Sequence, residues 1–442
     1  MNNLVLIGLP GCGKTTLGRA AAKALGREFL DLDAAIEQEA GMTIPQLFEQ
    51  FGEDDFRRRE TAACRRAAAK TGAIVSCGGG VVTRPENMQA FAEDIVLFID
   101  RPAENIVSGV DTAHRPLLKD GADRVYRLAA ERDPLYRRYA HAVIRNDGTP
   151  AEAIAKLVRL AGRPLKLAVI GDPIDHSLSP QIHLPLLRRF HPQTTYEKIR
   201  VARGELAAFA DYAREHLDGF NLTMPHKADI LPYLDYIDPS AKAIGAVNTV
   251  TVKEGALSGY STDGRFYDAL QADGFDLAGK RIVLIGAGGA ADTLAVAGAE
   301  VGIDRLTVVA RRAEQREALL KKALARSPKL VTAACGFDRL SEAVAEADVL
   351  INATPLGMHG VDADWEDLSF LKALPSTALV CDLIYNPSPT RFLREAASRG
   401  HDTRDGSGML IWQAIGADEH YLETPLNGLR CAQTILQQRK EL

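Results

Sequence analysis

Ala161-Gly162-Arg163-Pro164-Leu165, followed by Lys166-Leu167-Ala168-Val169-Ile170-Gly171, decides how this chain is organised. Gly162 and Pro164 interrupt regular structure. The apolar run behind them leads into Gly171-Asp172-Pro173, the form of a first strand in a new domain. A surface loop inside one domain would carry the same Gly and Pro. A seam is the better reading, because the motifs on each side fill a domain of their own. The expected division is a first region over 1–160, a linker over 161–165 and a second region over 166–442.

Upstream of the seam, Leu4-Val5-Leu6-Ile7 reads as a buried parallel strand. It enters Gly8-Leu9-Pro10-Gly11-Cys12-Gly13-Lys14-Thr15, the G-x-x-x-x-G-K-[ST] pattern, with a helical pattern from Thr16 to Leu25. Glycines let the backbone wrap a phosphate with its N–H groups pointing inward. Lys14 then reaches the β/γ-phosphates and the Thr15 hydroxyl ligates Mg²⁺, while the helix N-terminus favours negative charge. Phe29-Leu30-Asp31-Leu32-Asp33 reads as a strand ending in two carboxylates on one face. One can orient Mg²⁺ through water, and the other can hold an acceptor hydroxyl. Alternatively Asp33 caps the helix that follows, and it can do both. In Phe56-Arg57-Arg58-Arg59-Glu60 the spacing of three lets Arg57 pair with Glu60 on one helix face. A guanidinium so held suits a carboxylate ligand. Ala73-Ile74-Val75-Ser76 reads as a further buried strand, and Gly78-Gly79-Gly80 behind it allow close approach of a ligand to the backbone. Arg115-Pro116-Leu117-Leu118 lies in a polar stretch, and Arg132-Asp133-Pro134-Leu135-Tyr136 follows one helix later.

Those motifs, in that order, make residues 1 to about 160 resemble the shikimate kinases: small P-loop enzymes with a parallel sheet and a lid. The resemblance implies that Asp33, Arg57, Gly79 and Arg132 hold shikimate, with Asp33 orienting the acceptor hydroxyl. It implies that Gly11, Cys12, Gly13, Lys14, Thr15, Thr16 and Arg115 bind ATP, with Mg²⁺ at Thr15 and, through water, Asp31. Lys14 and the lid's Arg115 would stabilise charge on the transferring phosphoryl, the dominant need in this chemistry. One departure stands out. Where the family carries an arginine that stacks on adenine, this chain reads Val107-Ser108-Gly109-Val110. The missing cation–π contact is worth about 1 kcal/mol.

Downstream of the seam, His176-Ser177-Leu178-Ser179-Pro180 offers two hydroxyls at spacing two, for a substrate or for a helix cap. Gly219-Phe220-Asn221-Leu222-Thr223-Met224-Pro225-His226-Lys227 ends a predicted strand and sets Lys227 at the lip of a cleft, where an ammonium can protonate a ketone oxygen. His226 reads as structural. Gly245-Ala246-Val247-Asn248-Thr249 and Ser261-Thr262-Asp263-Gly264 add an amide and a carboxylate. Lys280-Arg281-Ile282-Val283-Leu284-Ile285 runs into Gly286-Ala287-Gly288-Gly289-Ala290-Ala291, the dinucleotide turn G-x-G-x-x-A. A NAD-binding chain would put an acid at the end of the second strand. Ala310-Arg311-Arg312 stands there instead, which favours a 2′-phosphate and NADP.

With INATPLGM, DLIYNPSPT and GSGMLIWQA added, residues 166–442 resemble the shikimate dehydrogenases. The resemblance implies an α/β fold of two lobes. A substrate lobe would span about 166–275 plus the C-terminal helices at about 407–442, and a Rossmann NADP lobe about 276–406. It makes Lys227 and Asp263 the catalytic pair, with Ser177, Ser179, Thr223, Asn248, Tyr385 and Gln413 around the substrate. Gly286 to Ala291, Arg311, Arg312, Thr354, Gly406 and Met409 would bind NADPH. Ser261, Ala310 and Arg312 replace the family's usual asparagine, asparagine and threonine, the first loosening a substrate-side contact.

Bulk properties agree. A chain of 442 residues fits two or three domains. A net charge of −5 gives no footprint for nucleic acid, no apolar run is long enough to cross a bilayer, and Met1-Asn2-Asn3-Leu4 lacks a signal-peptide pattern. The six cysteines are scattered and fit reduced thiols of a cytoplasmic protein. The expected partners are small molecules, with a homo-oligomer possible and free diffusion of shikimate between the sites. The expected function is NADPH-dependent reduction of 3-dehydroshikimate, then ATP-dependent phosphorylation of the hydroxyl so formed. The alternatives are a NAD-dependent quinate activity, and a metabolite sensor with one or both sites inactive.

Overall fold

Leu4–Ile7 (β1) is fully buried, and runs of this kind pair in parallel. It lies at the centre of a five-stranded parallel sheet with Phe29–Asp31 (β2), Ile74–Ser76 (β3), Ile95–Asp100 (β4) and Ala142–Arg145 (β5), in the order β2-β3-β1-β4-β5. The computed structural model describes residues 1–109 and 122–439 of the chain. Arg115 and the rest of the expected lid fall outside them.

Residues 161–165 are irregular, and Lys166–Gly171 (β6) opens a second sheet. Its other strands are Thr195–Arg200 (β7), Gly219–Leu222 (β8), Tyr236–Ile237 (β9), Thr249–Lys253 (β10) and Ala256–Tyr260 (β11), ordered β7-β6-β8-β10-β11-β9. β6 and β8 are parallel, whereas β8, β10 and β11 run antiparallel to one another in turn. The third sheet comprises Arg281–Ile285 (β12), Arg305–Val309 (β13), Val331–Cys335 (β14), Val349–Asn352 (β15), Leu379–Asp382 (β16) and Thr403–Arg404 (β17). Its order β14-β13-β12-β15-β16-β17 is all parallel, the doubly wound arrangement in which ligands bind beyond the strand C-termini beside the first strand.

Contact divides the chain differently from covalent order. One unit joins Met1–Lys166 with Gln181–Tyr196 and Asp418–Leu442; the other holds Leu167–Pro180 and Glu197–Ala417. In the first unit Arg189, buried on the Ser179–Phe190 helix, donates to Ala92 O at 2.8 Å. Asn427 N donates to His141 O at 2.8 Å, and Leu426 bridges Ala142 at the edge of β5. The chain's last helix therefore packs in the same unit as the P-loop sheet.

Two local expectations change. β2 stops at Asp31, whose carboxylate caps the helix Leu32–Ala40 by accepting from Ala34 N at 3.3 Å. Asp33 therefore lies in the first turn of that helix. It is neither the cap nor on a strand face with Asp31. Likewise Arg132 to Tyr136 do not follow a helix but lie inside one, Ala122–Tyr139, which continues through Pro134.

Candidate functional site

In the first unit, the turn after β1 has Gly8, Gly11 and Gly13 at φ 145°, 85° and 102°, conformations that favour glycine. A Cβ on Gly8 would sit 2.7 Å from Ile99 O, and one on Gly13 would sit 2.8 Å from Asn146 Nδ2. The loop closes on its own lysine: Lys14 Nζ donates to Gly8 O at 2.8 Å and Leu9 O at 2.9 Å. Thr15, in the first turn of the helix Lys14–Leu25, donates through Oγ1 to Asp31 Oδ2 at 2.8 Å, with Ser76 Oγ at 3.4 Å. A hydroxyl and a carboxylate so close are hard oxygen donors of the kind that Mg²⁺ prefers.

The acceptor side assembles on the three glycines after β3. Arg57 on the long helix Ile44–Ala68 pairs with buried Glu60 at 2.8 Å, as the spacing of three predicts, and with exposed Glu53 at 3.1 Å. Its guanidinium lies where a Cβ on Gly80 would be, and Asp33 Oδ1 is 2.6 Å from where one on Gly78 would be. Arg132 donates to Gly79 O at 3.1 Å. Side chains at 78 and 80 would displace the charged groups themselves, and one at 79 would run into Pro10 at 2.6 Å, so each of the three glycines is accounted for. Asp33, Arg57, Gly79 and Arg132 are thus brought to one place. Burial, then the charge of Asp31, pushes the Asp33 carboxyl up to about 6, against the pull of Lys14. Burial also raises Glu60, opposed by Arg57.

In this unit two residues were missed by sequence reasoning. Tyr136 donates to Gly79 O beside Arg132, and its place four residues on along the same helix was the available signal. Asn146, buried just after β5, donates to Cys12 O at 2.8 Å and braces the phosphate loop. No motif marked it. Ser108 is exposed on the helix Ala103–Gly109.

In the second unit, Lys227 Nζ donates to Asp263 Oδ2 at 2.6 Å. Asp263 is 12% exposed and Lys227 34%, so the ammonium faces the solvent side of a nearly buried carboxylate. Asn248 Nδ2 donates to the other oxygen, Oδ1, at 2.8 Å, and lies 3.4 Å from Gln413 Oε1 on the helix Ser407–Leu422. Thr262 N and Thr249 Oγ1 donate to Asn248 Oδ1 and fix the amide's orientation. Both threonines were present in the motifs but had no expected role. Ser177 and Ser179 hydroxyls are 3.1 Å apart, and Ser177 Oγ, not Ser179, accepts a backbone N–H at the start of the helix Ser179–Phe190. Thr223 packs against Gly171, whose Cβ would fall 2.5 Å from Thr223 Cγ2. His226 is buried on Val201 O at 2.6 Å and is structural. Tyr385 is 43% exposed on the loop after β16.

At the C-terminal end of β12, Gly286 has φ 118°, and a Cβ there would sit 2.9 Å from Ala353 O. A Cβ on Gly288 or Gly289 would enter open space at the start of the helix Gly289–Val301. No protein contact demands glycine at those two positions, whereas close approach of a dinucleotide does. Arg311 and Arg312 are exposed beyond β13, and Arg316, unmarked in the sequence, turns back onto Ala310 O. Three guanidinium groups there fit a 2′-phosphate. Gly406 is pressed against the backbone of Leu383, and Met409 packs partly buried on the core of this sheet.

Comparisons with known proteins follow the same division. The profile described as "Shikimate kinase" matches residues 10–161. "Shikimate dehydrogenase substrate binding domain" matches 169–250, and "Shikimate / quinate 5-dehydrogenase" matches 269–365. The chain is 38% identical over 262 residues to the shikimate dehydrogenase (NADP(+)) of Alkaliphilus oremlandii, covering 58% of this chain and 91% of that protein. Among solved structures it resembles shikimate 5-dehydrogenase from Listeria monocytogenes in complex with shikimate and NAD, with TM-score 0.57 and 30% identity over 61% of this chain and 96% of that one. It also resembles the Thermus thermophilus enzyme in complex with NADP(H) and shikimate, with TM-score 0.54 and 32% identity over 62% and 99%.

Proposed function

The chain belongs to the shikimate dehydrogenase family and carries a shikimate kinase domain ahead of it, and from that premise we propose how its two sites divide one piece of chemistry. It is a bifunctional enzyme of the shikimate pathway, using NADPH for the reduction and ATP with Mg²⁺ for the phosphorylation.

In our reading Lys227 and Asp263 form the proton-handling pair of the dehydrogenase. The observation that carries this is their 2.6 Å contact, with Asn248 oriented on the second carboxylate oxygen. NADPH, when bound, supplies hydride to the ketone carbon. Lys227 donates a proton to the ketone oxygen, and Asp263 holds the ammonium at that oxygen and returns the proton from solvent. Ser177, Ser179, Thr223, Tyr385 and Gln413 complete the substrate side. Gly286 to Ala291, Arg311, Arg312, Thr354, Gly406 and Met409 line the cofactor side. In the kinase, Arg57 and Arg132 grip the shikimate carboxylate, and Gly79 keeps the approach open. Asp33 holds the hydroxyl that the reduction creates. Lys14, with Arg115, stabilises the transferring phosphoryl, and Thr15 and Asp31 hold Mg²⁺.

We assign 1–160 to the kinase, 161–165 to the linker and 166–442 to the dehydrogenase region, with the NADP lobe at about 276–406. No helix among the described residues is long and apolar enough to cross a membrane, and a cytoplasmic enzyme, with self-association possible, is the reading we favour.

A coupled reaction of 3-dehydroshikimate, NADPH, ATP and Mg²⁺, followed by mass spectrometry, tests the whole scheme. It should yield 3-phosphoshikimate. Lys14→Ala should stop at shikimate, and Lys227→Ala should stop before it. Phosphorylated product from Lys227→Ala at the wild-type rate would overturn the assignment of the pair.

A further inference from the structure

The ends of β15 and β16 are joined by side chains through a network with no expected role. Asp382, the last residue of β16, is fully buried. Its Oδ2 accepts from Thr390 Oγ1 at 2.7 Å, and its Oδ1 accepts from Asn352 Nδ2 at 3.0 Å and Ile384 N at 3.2 Å. Asn352, the last residue of β15, is also fully buried, and its Oδ1 accepts from Thr354 N at 3.0 Å and Thr354 Oγ1 at 2.6 Å. Burial pushes the Asp382 carboxyl up to about 6, which leaves it ionised at neutral pH.

The orientation of the Asn352 amide is therefore forced. A carboxylate only accepts and a backbone N–H only donates, so Nδ2 must face Asp382 and Oδ1 must face Thr354. This settles what Thr354 can offer. Its hydroxyl has a single proton, and that proton is committed to Asn352. Leu356 N approaches one lone pair at 3.4 Å, and the other is what a ligand would meet. The position is pertinent, because a Cβ on Gly286, the first glycine of the dinucleotide turn, would fall 3.3 Å from Thr354 Cγ2.

We propose that Asn352 and Asp382 are positioning residues that make the Thr354 hydroxyl an obligate acceptor, and that this acceptor selects the carboxamide N–H of a nicotinamide ring. The inference rests on the reading above, in which the loop after β15 borders the NADPH site. A hydroxyl able to donate as well as accept would take the carboxamide from either end. One locked as an acceptor takes it only by the amino group, and so sets which way the ring substituent turns.

Titration calorimetry on the full chain tests this without turnover, using NADP⁺ and its 3-acetylpyridine analogue, in which a methyl group replaces the carboxamide amino group. The wild type should prefer NADP⁺ by about tenfold, the loss expected when a buried acceptor goes unmet. Thr354→Val should bring the ratio close to one by weakening NADP⁺. Asn352→Ala, which releases the Thr354 proton, should shrink it too. Asp382→Asn still presents an oxygen to Asn352 and should keep most of the ratio, whereas Asp382→Leu should not. Arg311→Ala distinguishes the two levels: both ligands carry the 2′-phosphate, so it should weaken both equally. If Arg311→Ala leaves NADP⁺ binding unchanged, the cofactor reading fails and the proposal with it. If Arg311→Ala behaves as expected but the wild type does not discriminate, or Thr354→Val discriminates as well as wild type, the proposal alone falls.

Discussion

At the scale of single residues, Asp33 carries the sharpest consequence. Its carboxyl is raised from 3.8 to about 6, chiefly by burial and then by Asp31. If the ionised form holds the acceptor hydroxyl, kinase kcat/KM should decline as pH falls through about 6, and Asp33→Asn should be feeble but without that acid limb. A pH–rate profile of the two proteins decides it. Stability moves the opposite way. The folded pKa lies above the unfolded one, so folding favours the protonated acid, and its contribution is lost as pH rises from about 4 through 6. Asp33→Asn should therefore stabilise the chain at neutral pH by roughly 1–3 kcal/mol and not at pH 3.5, as denaturant melts at both pH values would reveal. Lys227→Met is the matching change in the second unit. Dehydrogenase kcat should drop about a hundredfold or more, with NADP⁺ affinity and kinase rate unchanged. The charged groups at both sites were legible because phosphate, carboxylate and ketone chemistry demand particular residue types at particular spacings. Thr249, Thr262 and Tyr136 were not, because their work is to orient neighbours, and a hydroxyl near a motif carries no chemical signature of that task.

At the scale of elements, the phosphate loop shows where local pattern suffices and where it does not. Its glycines announce their backbone conformations, and φ 102° at Gly13 follows from the residue type. The brace on the loop does not. Asn146 comes from the far end of the sheet, just after β5, and donates to Cys12 O. We expect Asn146→Ala to raise the KM for ATP by about tenfold, the value of one buried hydrogen bond, and to leave the KM for shikimate within twofold or so. Equal rises in both would mean the kinase sheet had shifted as a whole. The strand-to-helix junction at 31–33 illustrates a different limit. Both aspartates are good caps by residue type. Only the backbone angles of Asp31, φ −104° and ψ 114°, decide that the helix starts after it and that Asp33 faces the glycines instead. Pro134 shows a similar limit: proline discourages a helix, yet the Ala122–Tyr139 helix continues through it.

At the scale of the whole molecule, the seam in the sequence and the boundary in contact are different things. Motif order divides the chain near Ala161–Leu165, because motifs are local. Contact instead gathers Gln181–Tyr196 and Asp418–Leu442 with the P-loop sheet. Single long-range bonds hold them there, such as Arg189 to Ala92 O, Asn427 N to His141 O, and the Cys431 thiol to the same carbonyl at 3.7 Å. No periodicity or spacing announces bonds of this kind, since their partners lie up to 290 residues apart. If this unit is also a unit of stability, the kinase should depend on residues that belong to the dehydrogenase by sequence. Arg189 is the test, being buried and bonded to Ala92 O and Glu93, neither of which has an assigned role in phosphoryl transfer. Losing a charge-assisted hydrogen bond costs about 1.5–3 kcal/mol. For a unit of this size that lowers the melting temperature by roughly 3–10 °C. Arg189→Ala should therefore bring forward the loss of kinase activity on heating, while kinase kcat and KM at 20 °C stay as in the wild type. Heat inactivation followed by separate assays of the two activities measures this directly. An unmoved kinase transition would show that the packing seen here adds nothing to the kinase, and that the covalent seam marks the boundary of stability as well as of motif.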